Sequence, residues 1–479
     1  MDHDVLVIGG GVIGTAILRY LSFYKLDIIA VDKNEDLGEG TTKANSGIVH
    51  IGYDPIPGTV KARMNIRGAE LMKEESRNLG FDYKVNGAMV VAFRNEDLPR
   101  LEELMERGRK NGVKNMRLLS GEEARAREKN LSEEVKGALF LPDSAIVCPF
   151  SLTYALAENA VANGASFTLG KKVEKIEKIQ DGFAVTLSSG ERITTKYLVN
   201  AAGVYADEIN NALSENKIHI TAKRGNYMLF DSVTKGMFNS TIFQLPGKEG
   251  KGVLVTPTVH GNLMIGPTSI PISDKSDTST FPEDLEKIKE CALKTCPSIP
   301  FRNVITSFSG LRAHEDGDDF IIGECPDVPG FYNAAGIESP GLSSALAIGE
   351  MVASLIAEKA GAERKENPVT TRKPPLRMKD LDMEERNRYI KENPAYGRIV
   401  CRCEEISEGE IIDAITGPLG ARSLDGVKRR VRAGMGRCQS GFCSPRVMEL
   451  ISQYASIPLE NITKNSKGSL ILMEDSYDL

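Results

Sequence analysis

The sequence predicts an α/β protein in three parts: a parallel-sheet domain interrupted along the chain, an antiparallel sheet inserted into it, and a small helical module near the C-terminal end. Three observations carry that expectation. Residues 1–32 alternate strand, helix and strand around a glycine turn. Residues 218–309 change to short strand-like runs separated by Gly and Pro. Four of the eight cysteines crowd into residues 401–443.

In the first segment, Val5-Leu6-Val7-Ile8 is an apolar run that stops at Gly9-Gly10-Gly11. A helical pattern follows over residues 12–24, and a second apolar run, Ile28-Ile29-Ala30-Val31, ends at Asp32. This is a βαβ unit, whose crossover implies parallel strands covered by helices. The Glu-, Arg- and Lys-rich stretch 96–128 predicts a long helix with a solvated charged face. The inserted sheet is read from Tyr227-Met228-Leu229-Phe230, from Gly252-Val253-Leu254-Val255, and from Leu263-Met264-Ile265 after a turn at His260-Gly261-Asn262. The α/β pattern returns over residues 332–356, so the first domain is discontinuous. Residues 363–393 are polar and punctuated by Pro368, Pro374 and Pro375, with Pro394 just beyond, the composition of a linker. These features divide the chain into a nucleotide domain (1–85, 140–215 and 310–362) and a substrate domain (86–139 and 216–309). A linker (363–397), a C-terminal module (398–462) and a tail (463–479) follow.

Composition excludes several classes. A net charge of −6 offers no global attraction for nucleic acid or anionic membrane. The chain has no Trp and 6% aromatics, which leaves few platforms for stacking bases. No apolar run approaches the roughly 20 residues of a membrane helix. The first strand begins at residue 4 with no basic region or cleavage site before it, which predicts a cytoplasmic protein. Any association with the inner membrane would then come through a partner. Cys148, Cys291, Cys296 and Cys325 are scattered and are expected to be inert packing residues.

The glycine turn has a chemical reading. Gly9 permits the tight turn, Gly11 lets the backbone approach a pyrophosphate, and Gly14 lets the helix pack closely. The N–H groups at the helix start, around Val12 and Ile13, would face the phosphates. Asp32 would accept hydrogen bonds from a ribose diol, with Lys33 beside it. This Rossmann-like fingerprint alone does not separate NAD from FAD. Two further segments do: the apolar run 198–203 ends in Ala202-Gly203 ahead of Asp207, and Asn333-Ala334-Ala335-Gly336 leads through Ser339-Pro340-Gly341-Leu342 into a helix. With these motifs, residues 1–360 resemble the glycine-oxidase/D-amino-acid-oxidase-like superfamily of FAD oxidoreductases. The resemblance implies FAD, with the Ala202–Asp207 motif closing over the adenosine. The Ser339–Leu342 motif would set a helix N-terminus beside the flavin pyrimidine ring, where negative charge develops. The run Thr41-Thr42-Lys43-Ala44-Asn45-Ser46-Gly47-Ile48-Val49-His50 resembles the loop along the flavin in the L-2-hydroxyglutarate and glycerol-3-phosphate dehydrogenase branches. Small and hydroxyl residues there allow close backbone approach.

Enzymes of this kind oxidise a C–H that bears oxygen or nitrogen, and need a group to assist proton loss. His50, His260 and Tyr227 are the candidates for that step. Arg312, in Ser309-Gly310-Leu311-Arg312, and Arg224, in Arg224-Gly225-Asn226-Tyr227, are the candidates for an anionic substrate. By the resemblance, Arg312 matches the arginine that binds carboxylate or phosphate. The aerobic glycerol-3-phosphate dehydrogenases carry a histidine after the Gly of the equivalent strand. Asn226 stands there instead, nearer the L-2-hydroxyglutarate pattern, so both substrates stay open.

Cys401-x-Cys403 and Cys438-x4-Cys443 offer four thiolates, suited to Zn²⁺ or to an iron–sulfur cluster. The close spacing of Cys401 and Cys403 is unlike a Cys-x2-Cys zinc knuckle. The text around all four resembles the bacterioferritin-associated-ferredoxin-like [2Fe–2S] domain, with Ser440 where that family often has Gly. The same module ends the A subunit of the anaerobic glycerol-3-phosphate dehydrogenase family. Lys428, Arg429, Arg430, Arg432 and Arg437 lie between the cysteine pairs, to offset cluster charge, dock a partner or form a solvated face.

Together these imply an FAD dehydrogenase for a small anionic secondary alcohol, in the first place sn-glycerol 3-phosphate. Electrons would leave through [2Fe–2S] to an NAD(P)-linked flavoprotein or a quinone-reactive subunit. A 2-hydroxy-acid dehydrogenase, an electron-transfer subunit with an inactive pocket, and a peroxide-forming oxidase with structural zinc are the alternatives.

Overall fold

In a computed structural model of the chain, residues 1–245 and 252–472 are described. Of the expected tail, residues 473–479 lie outside them.

The parallel sheet orders its strands Phe331–Ala335, Arg192–Asn200, His3–Ile8, Ile28–Val31, Ser166–Thr168. His3–Ile8, Ile28–Val31 and Phe331–Ala335 are buried over most of their length, whereas Ser166–Thr168 at the sheet edge is not. Register puts the strand ends level: Ile8 pairs with Val31 and with Asn200, and Asn200 with Asn333. The glycine turn, Asp32, Ala201–Gly203 and Ala334–Gly336 therefore emerge together at one edge, where open α/β sheets bind ligands. Asn200 fixes that edge, donating from Nδ2 to Asn333 Oδ1 at 2.9 Å and to the carbonyl of Ala206 at 2.8 Å. Helices Val12–Leu21 and Gly341–Ala360 pack on the sheet through Ile17, Leu18, Ile348 and Val352. Gly341–Ala360 is, among the described residues, the one helix long and apolar enough to cross a membrane, but 67% of its most apolar 18-residue stretch is buried in the core.

The second sheet is made from two separated stretches. Thr241–Gln244 pairs in parallel with Ala88–Ala92, which joins Gly137–Leu141 and Arg117–Ser120 to the strands of residues 220–315. Its longest pairing is antiparallel, between Ile220–Phe230 and Val304–Glu315, with Arg312 opposite Lys223 and Phe308 opposite Tyr227. Val304–Glu315 runs through the expected boundary at 309/310 and carries Arg312 from the substrate sheet toward the parallel sheet.

The stretch 96–128 is not one helix. Helix Leu98–Lys110 stops at Asn111-Gly112, where Gly112 has φ +87°, and strand Arg117–Ser120 leads into helix Gly121–Arg127 through a Ser120/Glu123 capping box. The linker is not a free tether either. It contains helix Met383–Glu392, capped by Asp382, and is tied back by Arg372 to Glu158 and Arg377 to Asp82.

The C-terminal module pairs Ile399–Cys401 with Ile406–Ser407 and adds helices Glu408–Thr416, Leu424–Val431 and Ser444–Ala455 around Ile411, Val427, Leu450 and Ile451. Arg429 and Arg430 are not a solvated face. Both are buried and reach Asp36, just beyond the second parallel strand, at 2.9 and 2.8 Å.

Candidate active site and cysteine cluster

One cavity of about 640 Å³ runs from the glycine turn to Arg312. Every sequence candidate for cofactor contact lines it except Gly14, Asp207 and Gly336.

At the glycine end, Gly9 has φ +117°, and a β-carbon on Gly14 would fall 1.9 Å from the carbonyl oxygen of Gly9. Helix and turn can meet this closely only without side chains, so Gly14 acts by packing. The amide of Val12 donates to Thr42 Oγ1 at 3.0 Å, which ties the helix start to the loop 41–50. Asp32 accepts from the amides of Gly10 at 2.6 Å and Asn34 at 2.7 Å, and burial raises its pKa. Lys33 lies 3.7 Å above the ring of Tyr205. Backbone donors, a buried acid and lysines at one end of an elongated cavity fit a dinucleotide. Along the middle, Asn45 donates to the carbonyls of Thr41 and Thr42 and accepts from Gly47, holding the loop as a compact turn.

At the far end, Tyr227 stacks on Phe308 with centroids 5.0 Å apart. The ring of His50 lies 5.5 Å from that of Phe243, and its backbone is fixed by Ser343 Oγ and Asn65 Nδ2. Arg312 lines the same cavity, and among the described residues it makes no ion pair.

Four candidates lie elsewhere. Arg224 is buried outside the cavity, paired with Asp277 at 2.6 Å and Asp284 at 3.6 Å and packed 4.4 Å from the Phe281 ring. His260 is also outside, 3.9 Å from Asp82, and burial together with Arg432 holds its pKa down to about 3. Asp207 is clamped by Lys275 at 2.6 and 2.8 Å and by the amide of Ile220, outside the lining of the cavity. Gly336, at φ +66°, packs against Glu315. Conversely, Glu39, Lys43, Phe243 and Glu338 line the cavity and were not singled out from sequence. Glu39 had a faint signal, an acid between Gly38 and Gly40; Phe243 sits in an ordinary strand run.

Two clusters have ligand-like composition, Asp82–Cys148–His260 and His314–Asp318–Glu338. In each, a protein cation already holds the acids: Arg377 on both oxygens of Asp82, and Lys61 on Asp318 at 2.7 Å and Glu338 at 3.1 Å.

The four C-terminal cysteines converge. Cys403 and Cys438 Sγ are 3.6 Å apart, and a hydrogen bond from the thiol of Cys443 draws the pKa of Cys401 down to about 6 while raising that of Cys443. None of the four is in a disulfide. Ser440 has φ +76°, the conformation for which glycine is favoured. Among the basic residues, Arg432 pairs with Glu404 at 2.8 Å and Arg437 with Asp231.

A dinucleotide cavity closed by a substrate-facing sheet, next to a four-cysteine module, defines a flavin oxidoreductase with its own iron–sulfur domain. The chain belongs to the FAD-dependent oxidoreductase family: the model described as FAD dependent oxidoreductase matches residues 4–355, and the BFD-like [2Fe-2S] binding domain matches residues 399–453. Its cofactors are FAD and a [2Fe–2S] cluster. It is 46% identical over 470 residues to the glycerol 3-phosphate dehydrogenase of Caloramator mitchellensis, covering 98% of each chain. It is 30% identical to the mitochondrial L-2-hydroxyglutarate dehydrogenase of Arabidopsis thaliana, over 73% of this chain and 83% of that one. Among solved structures, the L-α-glycerophosphate oxidase of Mycoplasma pneumoniae with FAD bound aligns with TM-score 0.74 at 31% identity, over 78% of this chain and 99% of that one.

Proposed function

We propose that the chain oxidises sn-glycerol 3-phosphate to dihydroxyacetone phosphate and delivers the electrons to a second redox protein. The observation that carries this reading is Arg312, a guanidinium without an ion-pair partner among the described residues, which lines the same cavity as His50 and Tyr227. A bidentate fork of this kind suits a phosphate. The alcohol loses two electrons and two protons as it becomes a ketone. FAD, when bound, takes the electron pair, and the cluster passes electrons on singly. Arg312 holds the phosphate and so fixes the carbinol carbon. His50 takes the hydroxyl proton on a ring nitrogen. Tyr227, stacked on Phe308, walls the site and excludes water.

The similarity to the Caloramator dehydrogenase extends over the C-terminal module, whereas the Mycoplasma oxidase aligns over nearly all of itself and leaves an unmatched part of this chain. A one-electron relay beside a flavin points away from O₂ as acceptor. The partner in this reading is an NAD(P)-linked flavoprotein or a quinone-reactive subunit. The enzyme would work in the cytoplasm, reaching a membrane only through that partner.

The 30% identity to the Arabidopsis L-2-hydroxyglutarate dehydrogenase favours a second reading in which L-2-hydroxyglutarate is the substrate. Anaerobic mixing with each compound separates them. Bleaching of the flavin band by glycerol 3-phosphate, with iron–sulfur absorbance lost afterwards, supports the first. Bleaching by L-2-hydroxyglutarate alone supports the second, and bleaching by neither marks an electron-transfer subunit. Stoichiometric peroxide in air would mark an oxidase.

A further inference from the structure

Glu39 lines the cavity, yet its side chain is 3% exposed and its hydrogen-bond partners come from beyond residue 398. Arg429 Nη2 donates to Glu39 Oε1 at 2.9 Å, and Asn465 Nδ2 to Oε2 at 3.3 Å. The same guanidinium donates to Asp36 Oδ2 at 2.9 Å, and Arg430 grips both oxygens of Asp36 at 2.8 Å. The hydroxyl of Tyr154 donates to Asp36 and accepts from both arginines. Two buried acids of the nucleotide domain are thus neutralised by two buried arginines from beyond residue 398, with Lys43 the further cation near Glu39.

The position of Glu39 decides what that neutralisation does. It sits three residues before Thr42, whose hydroxyl accepts from the amide of Val12 at the helix start. An uncompensated carboxylate there would face the pyrophosphate of a dinucleotide, anion against anion, in a region of low dielectric. Burial already raises the pKa of Glu39, so its charge is costly without Arg429.

We infer that Arg429 of the iron–sulfur module is a positioning residue for the FAD site, acting through Glu39, so that the module completes the dinucleotide end of the cavity. The inference rests on the reading that Gly9–Thr42 hold the pyrophosphate half of FAD. A consequence is that FAD affinity depends on the module being docked.

The test measures FAD dissociation from the full-length protein carrying both cofactors, by fluorescence of released FAD, with iron–sulfur absorbance as the check that the module is folded. Arg429→Met is expected to raise the FAD dissociation constant by about tenfold or more. Glu39→Gln placed on top of it should restore affinity to within about threefold of the parent, because the unpaired charge is then gone. Unchanged affinity in Arg429→Met, or a loss that Glu39→Gln does not relieve, would overturn the inference. If Arg429→Met loses its iron–sulfur absorbance, Arg429→Lys and Asn465→Ala take its place: Lys should largely keep FAD and Ala should weaken it, and the reverse order overturns the inference. Gly11→Val tests the site reading itself. Full retention of FAD by that variant would mean that the pyrophosphate lies elsewhere.

Discussion

Gly310 lies against the carbonyl of Ala44: a β-carbon at 310 would fall 1.9 Å from that oxygen. This contact joins the strand that carries Arg312 to the loop 41–50 that lines the middle of the cavity. Thr41 adds to it by donating its hydroxyl to the carbonyl of Leu311. Arg312 and the loop 41–50 are therefore held as one unit. Gly310→Ala must move backbone, since the obstructing atom is a carbonyl and not a flexible side-chain end. Overpacking of this kind costs about 1–3 kcal/mol. The expected outcome is a lowered denaturant midpoint together with weaker FAD retention on gel filtration. Lowered stability with FAD held as tightly as before would show that the two segments are not coupled.

Arg312 and Arg224 lie on adjacent strands, and their substitutions should separate binding from folding. For Arg312→Met we expect kcat/KM for the anionic substrate to fall by about ten- to a hundredfold, the range for losing hydrogen bonds to a charged group. The unfolding midpoint should stay put, because among the described residues Arg312 anchors no acid. Arg312→Lys keeps the charge and loses the fork, so it should fall between. Steady-state kinetics across substrate concentrations, with thermal melts of the same preparations, read both.

Arg224→Met should do the opposite. Its removal strands Asp277 and Asp284 beside the Phe281 ring. The loss falls on Asp284, which is left buried without its cation, while Asp277, with 29% of its side chain exposed, can turn to solvent. Denaturant unfolding should show that loss, while KM of the surviving folded enzyme stays close to the parent value. A large rise in KM with little loss of stability would return Arg224 to the active site.

The parallel sheet and its cofactor edge were legible because local rules specify them. An apolar run ending in Gly9-x-Gly11-x-x-Gly14 has few other uses, and level strand ends bring Ala202, Gly203 and Ser339–Leu342 to the same edge. The cysteines were legible for a similar reason, since four soft ligands in so short a stretch demand a common purpose. Arg224, His260 and Asp207 fall outside the cavity lining because nearness in sequence to a site says nothing of which way a side chain points. In Ile220–Phe230 alternate residues face opposite sides, and Arg224 sits three positions before Tyr227, on the other face. Glu39, Arg429 and the fastened linker were illegible because their partners lie up to 426 residues apart. The continuous helix expected over 96–128 failed at Asn111-Gly112, a turn signal hidden among charged residues.

His260 gives the pH dependence. It is buried beside Asp82, Arg377, Arg432 and Lys379, and its pKa is held at about 3 against an ordinary 6.5. The folded state therefore binds fewer protons than the unfolded one between those values. Stability from this site is fully present above pH 6.5 and declines as pH falls toward 3, by up to about 1.4 kcal/mol per unit for one proton. Asp82, whose pKa is lowered, loses its contribution only below the usual carboxylate range, so a comparison at pH 7 and pH 5 isolates the histidine. In His260→Leu the unfolding free energy should change less between those two pH values than in the parent. Equal slopes would assign the acid sensitivity to other groups.

The cysteines allow the two halves of the enzyme to be taken apart. Cys403 is exposed while Cys401 and Cys443 are buried, so the ligand set spans from the surface into the module core. Cys438→Ser removes the thiol 3.6 Å from Cys403 without touching the core of the module at Ile411, Val427 and Leu450. The variant is expected to lose iron–sulfur absorbance and its reduced-state EPR signal. The flavin band should still be present and should still bleach with substrate, since Cys438 does not line the cavity. Transfer to a protein acceptor should fall to background, while a small oxidant able to enter the cavity keeps turning over. Cys443→Ser, at the buried end, should additionally lower the melting temperature, because that thiol packs in the core of the module and hydrogen-bonds to Cys401. If Cys438→Ser reduced the protein acceptor as fast as the parent, electrons would be leaving directly from the flavin cavity, and the module's role would reduce to holding Glu39 through Arg429.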